Sequence, residues 1–171
     1  MKYFQELPLV DYPLPSGELV KATDLNIRYT FTDDVLSQPF AFYEYQWGDS
    51  DTPDKVAKMY YGDYDLAWLV MMSGQLFDWI EDLPVPQRFF QPYLEKKYGV
   101  PLEYLYTQVH HFEDENGFIV DEFSNGNPVF VFDYEETQNE SKRVVKLISK
   151  RYLKDIKKEF REKLLAIREV N

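Results

Sequence analysis

The sequence predicts an α+β protein, and three patterns lead there. LNIRYTF, residues 25–31, and FAFYEYQW, residues 40–47, are β-prone and rich in aromatics. Residues 52–74 carry two short helical stripes with start and stop signals, and residues 149–167 carry a longer one. Between them, EDENG holds an Asn116-Gly117 turn signal flanked by apolar runs.

Taken in order, residues 1–24 are dotted with Pro8, Pro13 and Pro15 and hold Ser16-Gly17, so they read as an extended arm or loop. LNIRYTF alternates Leu25, Ile27, Tyr29 and Phe31 with polar residues, the pattern of a half-buried strand. FAFYEYQW is a second strand, stopped by Gly48-Asp49. Thr52 then supplies an N-cap, Pro53 suits the first helical position and Asp54 complements the helix dipole. Val56, Ala57 and Tyr60 share a face, and Gly62 provides a left-handed stop. Asp63 or Asp65 caps the next helix, whose stripe is Leu66, Leu69 and Val70 and whose end is Ser73-Gly74.

Residues 85–99 predict a third helix, with Phe89, Phe90, Tyr93 and Leu94 on one face and Gly99 as its stop. Pro92 removes a backbone donor inside it, so a break is expected near Gln91. LEYLYTQVHHF and FIVDEF, within residues 102–123, read as the arms of a hairpin. PVFVFDY is a further strand leading into a polar break, EETQNES, and RVVKLI is a last short strand. Ser149 caps a final helix with Tyr152, Leu153, Ile156, Phe160, Leu164 and Ile167 on its apolar stripe. The divisions that follow are 1–39, an arm and strand; 40–99, a helical hairpin domain with its following helix; 100–137, a hairpin and strand region; and 138–171, a strand and a basic amphipathic helix.

Composition narrows the function. The 171 residues include no cysteine, which excludes disulfides and thiolate metal sites. Neither a membrane span nor secretory export is expected, because no apolar run approaches eighteen residues and the N-terminus lacks an apolar signal core. The net charge of −11 disfavours nucleic acid as a partner. That charge is uneven. From Glu140 onward eleven Lys/Arg face five Asp/Glu, while the first 139 residues hold eight basic and twenty-five acidic side chains. The basic end is either a solvated helix face or an arm for an acidic partner, including this protein's own acidic body.

No catalytic pattern stands out. The adjacent His110 and His111, followed by Glu113, Asp114 and Glu115, suggest a metal only if a bulge turns both rings to one side of the strand. A glycosidase needs two facing carboxylates, and the acidic residues here sit in turns, caps and polar faces. No glycine loop frames a phosphate and no motif frames a nucleophile, so neither an enzyme nor a cofactor is expected.

YYGDYDLAWLVMMSG, residues 60–74, gathers three tyrosines, a tryptophan and two methionines around a Gly-Asp turn. Its spacing makes it chiefly core, with Tyr61, Tyr64 and Trp68 the side chains best placed to reach a partner. Residues 42–79 resemble a LysM-type βααβ module. More closely, the chain resembles the LysM-like baseplate wedge protein family of contractile-tailed bacteriophages. The residues that carry this are Pro53-Asp54, Ala57, Tyr61-Gly62, Trp68-Leu69-Val70 and Phe77-Asp78-Trp79, then Lys97-Tyr98-Gly99, His110-His111-Phe112-Glu113 and the strand-then-helix C-terminus. Their order covers residues 25–165. Two departures point away from saccharide binding. Ser73-Gly74-Gln75 replaces an Asn-rich helix end, and DLPVPQRFF stands after Trp79 in place of the closing strand of sugar-binding LysM modules.

The resemblance implies a small LysM-like (βααβ) core with an extended N-terminal arm, a β-hairpin insertion and a C-terminal helix. It implies a virion structural protein of the tail baseplate, made in the host bacterial cytoplasm, that clips adjacent wedges around the hub. Its partners would be other wedge proteins and a sheath-initiator protein, in multiple copies of a sixfold assembly. The candidate partner-binding residues are Tyr61, Tyr64, Trp68, Phe77, Trp79, Lys150, Lys154, Lys157 and Arg161. The alternative is a LysM-type peptidoglycan-binding module associated with a lytic enzyme.

Overall fold

Helices and small antiparallel sheets make up the computed structural model, which describes residues 3–27, 29–31, 35, 37–78, 80–124 and 126–170. The chain is α+β, divided into two compact units. Unit 1 takes residues 1–45, 51–77 and 146–171; unit 2 takes residues 46–50 and 78–145. No helix among the described residues is long and apolar enough to cross a membrane.

Unit 1 begins with a helical turn, α1 (Tyr3–Glu6), and a ribbon of β1 (Leu9–Pro13) and β2 (Leu19–Thr23). The expected loop is thus a hairpin. Gly17 takes the left-handed φ of 85° that its turn needs, and Asp11 pairs with Lys21 across the strands at 2.7 Å. The strand expected at 25–31 does not form among the described residues of that stretch. The Asp24 carboxylate takes the Asn26 N–H locally at 3.0 Å, diverting backbone from a ladder. Tyr29 and Phe31 are buried all the same.

The centre of unit 1 is built from β3 (Phe42–Gln46), α2 (Pro53–Tyr61), a 3₁₀ turn at Tyr64–Leu66, α3 (Ala67–Ser73), β7 (Val144–Ile148) and α7 (Leu153–Val170). β3 pairs with β7, far away in sequence. Gly62 stops α2 with φ 82°, and Asp63 caps the next turn through the Asp65 N–H, both as the sequence predicts. Thr52 holds the N-cap position, but its hydroxyl donates to the Asp54 carboxylate instead of accepting from the helix. The predicted stripes are the core: Val56, Ala57, Leu66, Leu69 and Val70 have no exposure, and Ile156, Phe160 and Leu164 of α7 bury every fourth residue. Phe160 lies within 5.0–5.4 Å, centre to centre, of the Trp68, Tyr29 and Tyr3 rings.

Unit 2 comprises α4 (Gln87–Tyr98), a helical turn α5 (Leu102–Leu105), a sheet of β4 (Val109–Glu113), β5 (Ile119–Val120) and β6 (Asn127–Phe130) in order β5-β4-β6, and α6 (Val131–Ser141). Three expectations are corrected here. Pro92 does not break α4; Phe90 and Leu94, either side of it on the buried face, anchor both halves in one core with Leu105, Val131 and Phe132. That packing outweighs a proline cost of about 3 kcal/mol. Residues 102–105 are helical, so the hairpin begins only at Val109. Residues 131–141 are helix, not a strand followed by a polar break, because Val131, Phe132, Glu135 and Asn139 share a buried face. The hairpin turn itself forms as predicted. Gly117 has φ 79°, and Asp114 Oδ1 accepts from the Asn116 and Phe118 N–H groups at 2.8 and 2.9 Å.

Candidate functional site

The aromatic face of unit 1 is the Tyr43–Tyr60 stack with Lys150, and a separate pair is Lys58 with Tyr64. β3 supplies Tyr43, α2 supplies Lys58, Met59 and Tyr60, and the turn after Gly62 supplies Tyr64. The left-handed glycine ends the helix and reverses the chain, which brings the later tyrosine back beside Lys58. Tyr43 and Tyr60 stack with centroids 5.5 Å apart and planes 14° apart. The Lys150 ammonium lies 4.9 Å from the Tyr60 centroid, and the Lys58 ammonium 5.2 Å from that of Tyr64. Tyr43, Met59 and Tyr64 are each more than half exposed. A tyrosine beside a lysine ammonium suits a protein partner or the CH face of a sugar.

The sequence-predicted residues divide by surroundings. Tyr61 is half-buried and its hydroxyl donates to the Ile148 carbonyl at 2.9 Å, a brace for the core; burial first, then the neighbouring Tyr60, pushes its phenol up. Trp68 is half-buried and stacks on Phe160, its indole nitrogen enclosed without a hydrogen-bond partner among the described residues. Tyr64, Phe77, Lys150, Lys154 and Arg161 are exposed, Lys157 is half-buried, and Arg161 comes within 4.0 Å of Glu6. Trp79 lies outside the described residues. The structure therefore sets Tyr64 beside Lys58 and Lys150 beside Tyr60, and places Lys154 and Arg161 on the outer side of α7. Tyr43, Met59 and Tyr60 were missed as surface residues. Strand alternation places Tyr43 opposite the buried side, but nothing local reveals that Tyr60 stacks on it.

In unit 2, Phe90, Tyr93, Lys97, Tyr134, Glu135 and Asn139 line a pocket of about 220 Å³. Lys97, Glu135 and Asn139 among them hold the fold. Glu135, 8% exposed, accepts from Lys97 Nζ at 2.8 and 2.9 Å and from the Tyr98 hydroxyl at 2.6 Å. Burial alone would lower the Lys97 ammonium, yet the bond and charge of Glu135 raise it; burial and then Glu135 raise the Tyr98 phenol. Asn139 clamps Val85 by accepting its N–H at 2.7 Å and donating to its carbonyl at 3.0 Å. Arg143 similarly ties Asp49 at 2.9 Å and Glu140 at 2.8 Å. None of these arrangements pairs a nucleophile with a base.

The histidine pair differs from simple strand geometry. A register shift between Val109 and His111 lets both rings meet, with Nδ1 atoms 2.7 Å apart. The ring tautomers decide which nitrogen donates. His110 stacks on Tyr134 at 3.9 Å, and His111 Nε2 bonds Glu113 at 2.8 Å. Among the described residues no three His, Cys, Asp or Glu side chains converge as metal ligands. Compared with known proteins, the chain matches no family model and no curated sequence.

Proposed function

We propose that the protein is a structural component of a contractile phage tail baseplate, clipping adjacent wedges together around the hub through protein–protein contacts and without catalysis. The observation that carries this reading is the motif order between residues 42 and 79 together with a strand–helix–helix frame whose partner strand is β7. In this reading the LysM-like core is β3, α2, α3 and β7. Residues 78–143 are then an insertion ahead of the closing strand, which accounts for DLPVPQRFF after Trp79. Other wedge proteins and a sheath initiator are the partners, met by the ribbon at residues 9–23, the aromatic face and the basic side of α7. The site would be the virion, in several copies per sixfold baseplate.

The test is co-purification of the tagged full chain from bacteria infected with the phage that encodes it. Recovery of wedge proteins supports the reading, and recovery of no tail protein overturns it. The Tyr43–Tyr60 stack favours a second reading, a peptidoglycan-binding module associated with a lytic enzyme. Sedimentation with purified cell wall separates the two, because only the second reading requires the protein to leave the supernatant.

A further inference from the structure

The hairpin tip of unit 2 combines two features that seldom coincide on a solvated loop. Phe118, Ile119 and Phe123 are 68%, 74% and 92% exposed. Residues 113–123 also carry five carboxylates and no basic side chain. Asp114 is used by the turn and Glu113 by His111, whereas Glu115, Asp121 and Glu122 make no ion pair among the described residues. Apolar side chains left in water amid unneutralised charge are a surface awaiting a basic, partly apolar counterpart.

The chain supplies such a counterpart. On α7, Lys154, Lys158, Arg161 and Leu165 follow one another at four, three and four residues, so they form one line along the helix. All four are exposed, Leu165 at 53%, and the line runs about 16 Å, enough to span a hairpin tip. Lys154 has no acidic partner among the described residues; Lys158 and Arg161 reach theirs only at 3.6 and 4.0 Å on the surface, where pairing is weak.

We propose that the tip at residues 114–123 docks on the Lys154–Lys158–Arg161–Leu165 line of a second copy of this chain. Carboxylates meet the cations while Phe118, Ile119 and Phe123 cover Leu165 and the lysine stems. The contact is heterologous, since the surfaces on the two copies differ, so each copy retains one unused half and association can continue head to tail. This does not depend on the baseplate reading and uses the purified protein alone.

Sedimentation velocity of the full chain is the test, run from micromolar to several hundred micromolar. At low salt the weight-average mass should rise with concentration, and the rise should weaken at least tenfold in half-molar salt. D121N/E122Q and K154Q/K158Q/R161Q should each remain monomeric with unchanged circular dichroism. Mixed in equal amounts they should form a 1:1 dimer and stop there, because only one intact tip and one intact helix line remain. A wild-type protein monomeric throughout at low salt overturns the proposal and leaves the tip to a different basic protein. Undiminished association of either variant, or a mixture that stays monomeric, overturns it as well.

Discussion

Replacing Glu135 by alanine is expected to cost about 3 kcal/mol of stability. The Tyr98 hydroxyl, 2.6 Å from the carboxylate, loses a charged acceptor, worth about 2 kcal/mol at this half-buried site. Lys97 holds the same carboxylate through two contacts, yet its side chain is 43% exposed and regains water, so its share is about 0.5 kcal/mol. The removed methylene adds about 0.8 kcal/mol, because Glu135 is nearly buried. Urea denaturation of Glu135→Ala, Tyr98→Phe, Lys97→Met and the two double variants measures each part. Coupling of Glu135 to Tyr98 should be about 1.5 kcal/mol and to Lys97 about 0.5 kcal/mol. A total cost below about 1 kcal/mol, or coupling to Lys97 larger than to Tyr98, would falsify the assignment of the hydroxyl as the stronger partner.

Phe160→Ala should cost about 4 kcal/mol in a thermal or urea melt, since the ring is fully buried among Tyr3, Tyr29 and Trp68; a loss under about 1 kcal/mol contradicts that packing. Gly126→Ala should destabilise by about 1–3 kcal/mol, because its Cβ would lie 2.5 Å from Val120 Cγ2 and 3.0 Å from Phe112 Cβ; a neutral result would show that β5 moves aside freely. The Tyr45 phenol is pushed up to about 12 by burial and then by its bond and charge contact with Asp51. Its raised folded value means that the unfolded chain ionises first, so its contribution is complete below pH 10 and fades as pH rises through about 12. Tyr45→Phe should flatten that part of the alkaline stability profile, and an unchanged slope removes Tyr45 from the account. The Asp114 carboxyl is held below its usual value, first by the Phe118 N–H, so a carbon-detected NMR titration should find it still ionised where ordinary aspartates protonate. An ordinary midpoint would mean that the turn bonds are not kept in solution.

Helices marked by both caps and stripes were legible in the sequence. Pro53, Gly62 and Gly99 bound their helices by backbone geometry alone, and Leu66, Leu69 and Val70 repeat at helical spacing. Residues 131–141 were not legible because half of the buried face is polar. Glu135 and Asn139 enter the interior with partners at residues 97, 98 and 85, and such partners cannot be counted in a local window. Pro92 misled for a related reason: its cost is local, while the compensation from Phe90 and Leu94 is tertiary. LNIRYTF has strand periodicity, but Tyr29 enters a core lined by Trp68 and Phe160, and the described residues of the stretch form no strand. At the candidate surface, cations on α7 could be read directly, whereas the Tyr43–Tyr60 stack joins a strand to a helix and required coordinates.

The discontinuity of unit 1 constrains how the chain is made. Its interior needs Leu147 and Ile148, then Ile156, Phe160 and Leu164, which leave the ribosome long after Val56 and Leu69 have emerged. At ordinary translation speeds that interval is on the order of ten seconds. Most of unit 2 is one uninterrupted stretch, residues 78–145, and can close during the wait. The Trp68 side of the helical hairpin has no such option and stays without its Phe160 cover until α7 has been made. A chain cut before Leu153 would keep α2 and α3, yet leave an open aromatic core vulnerable to aggregation and proteases.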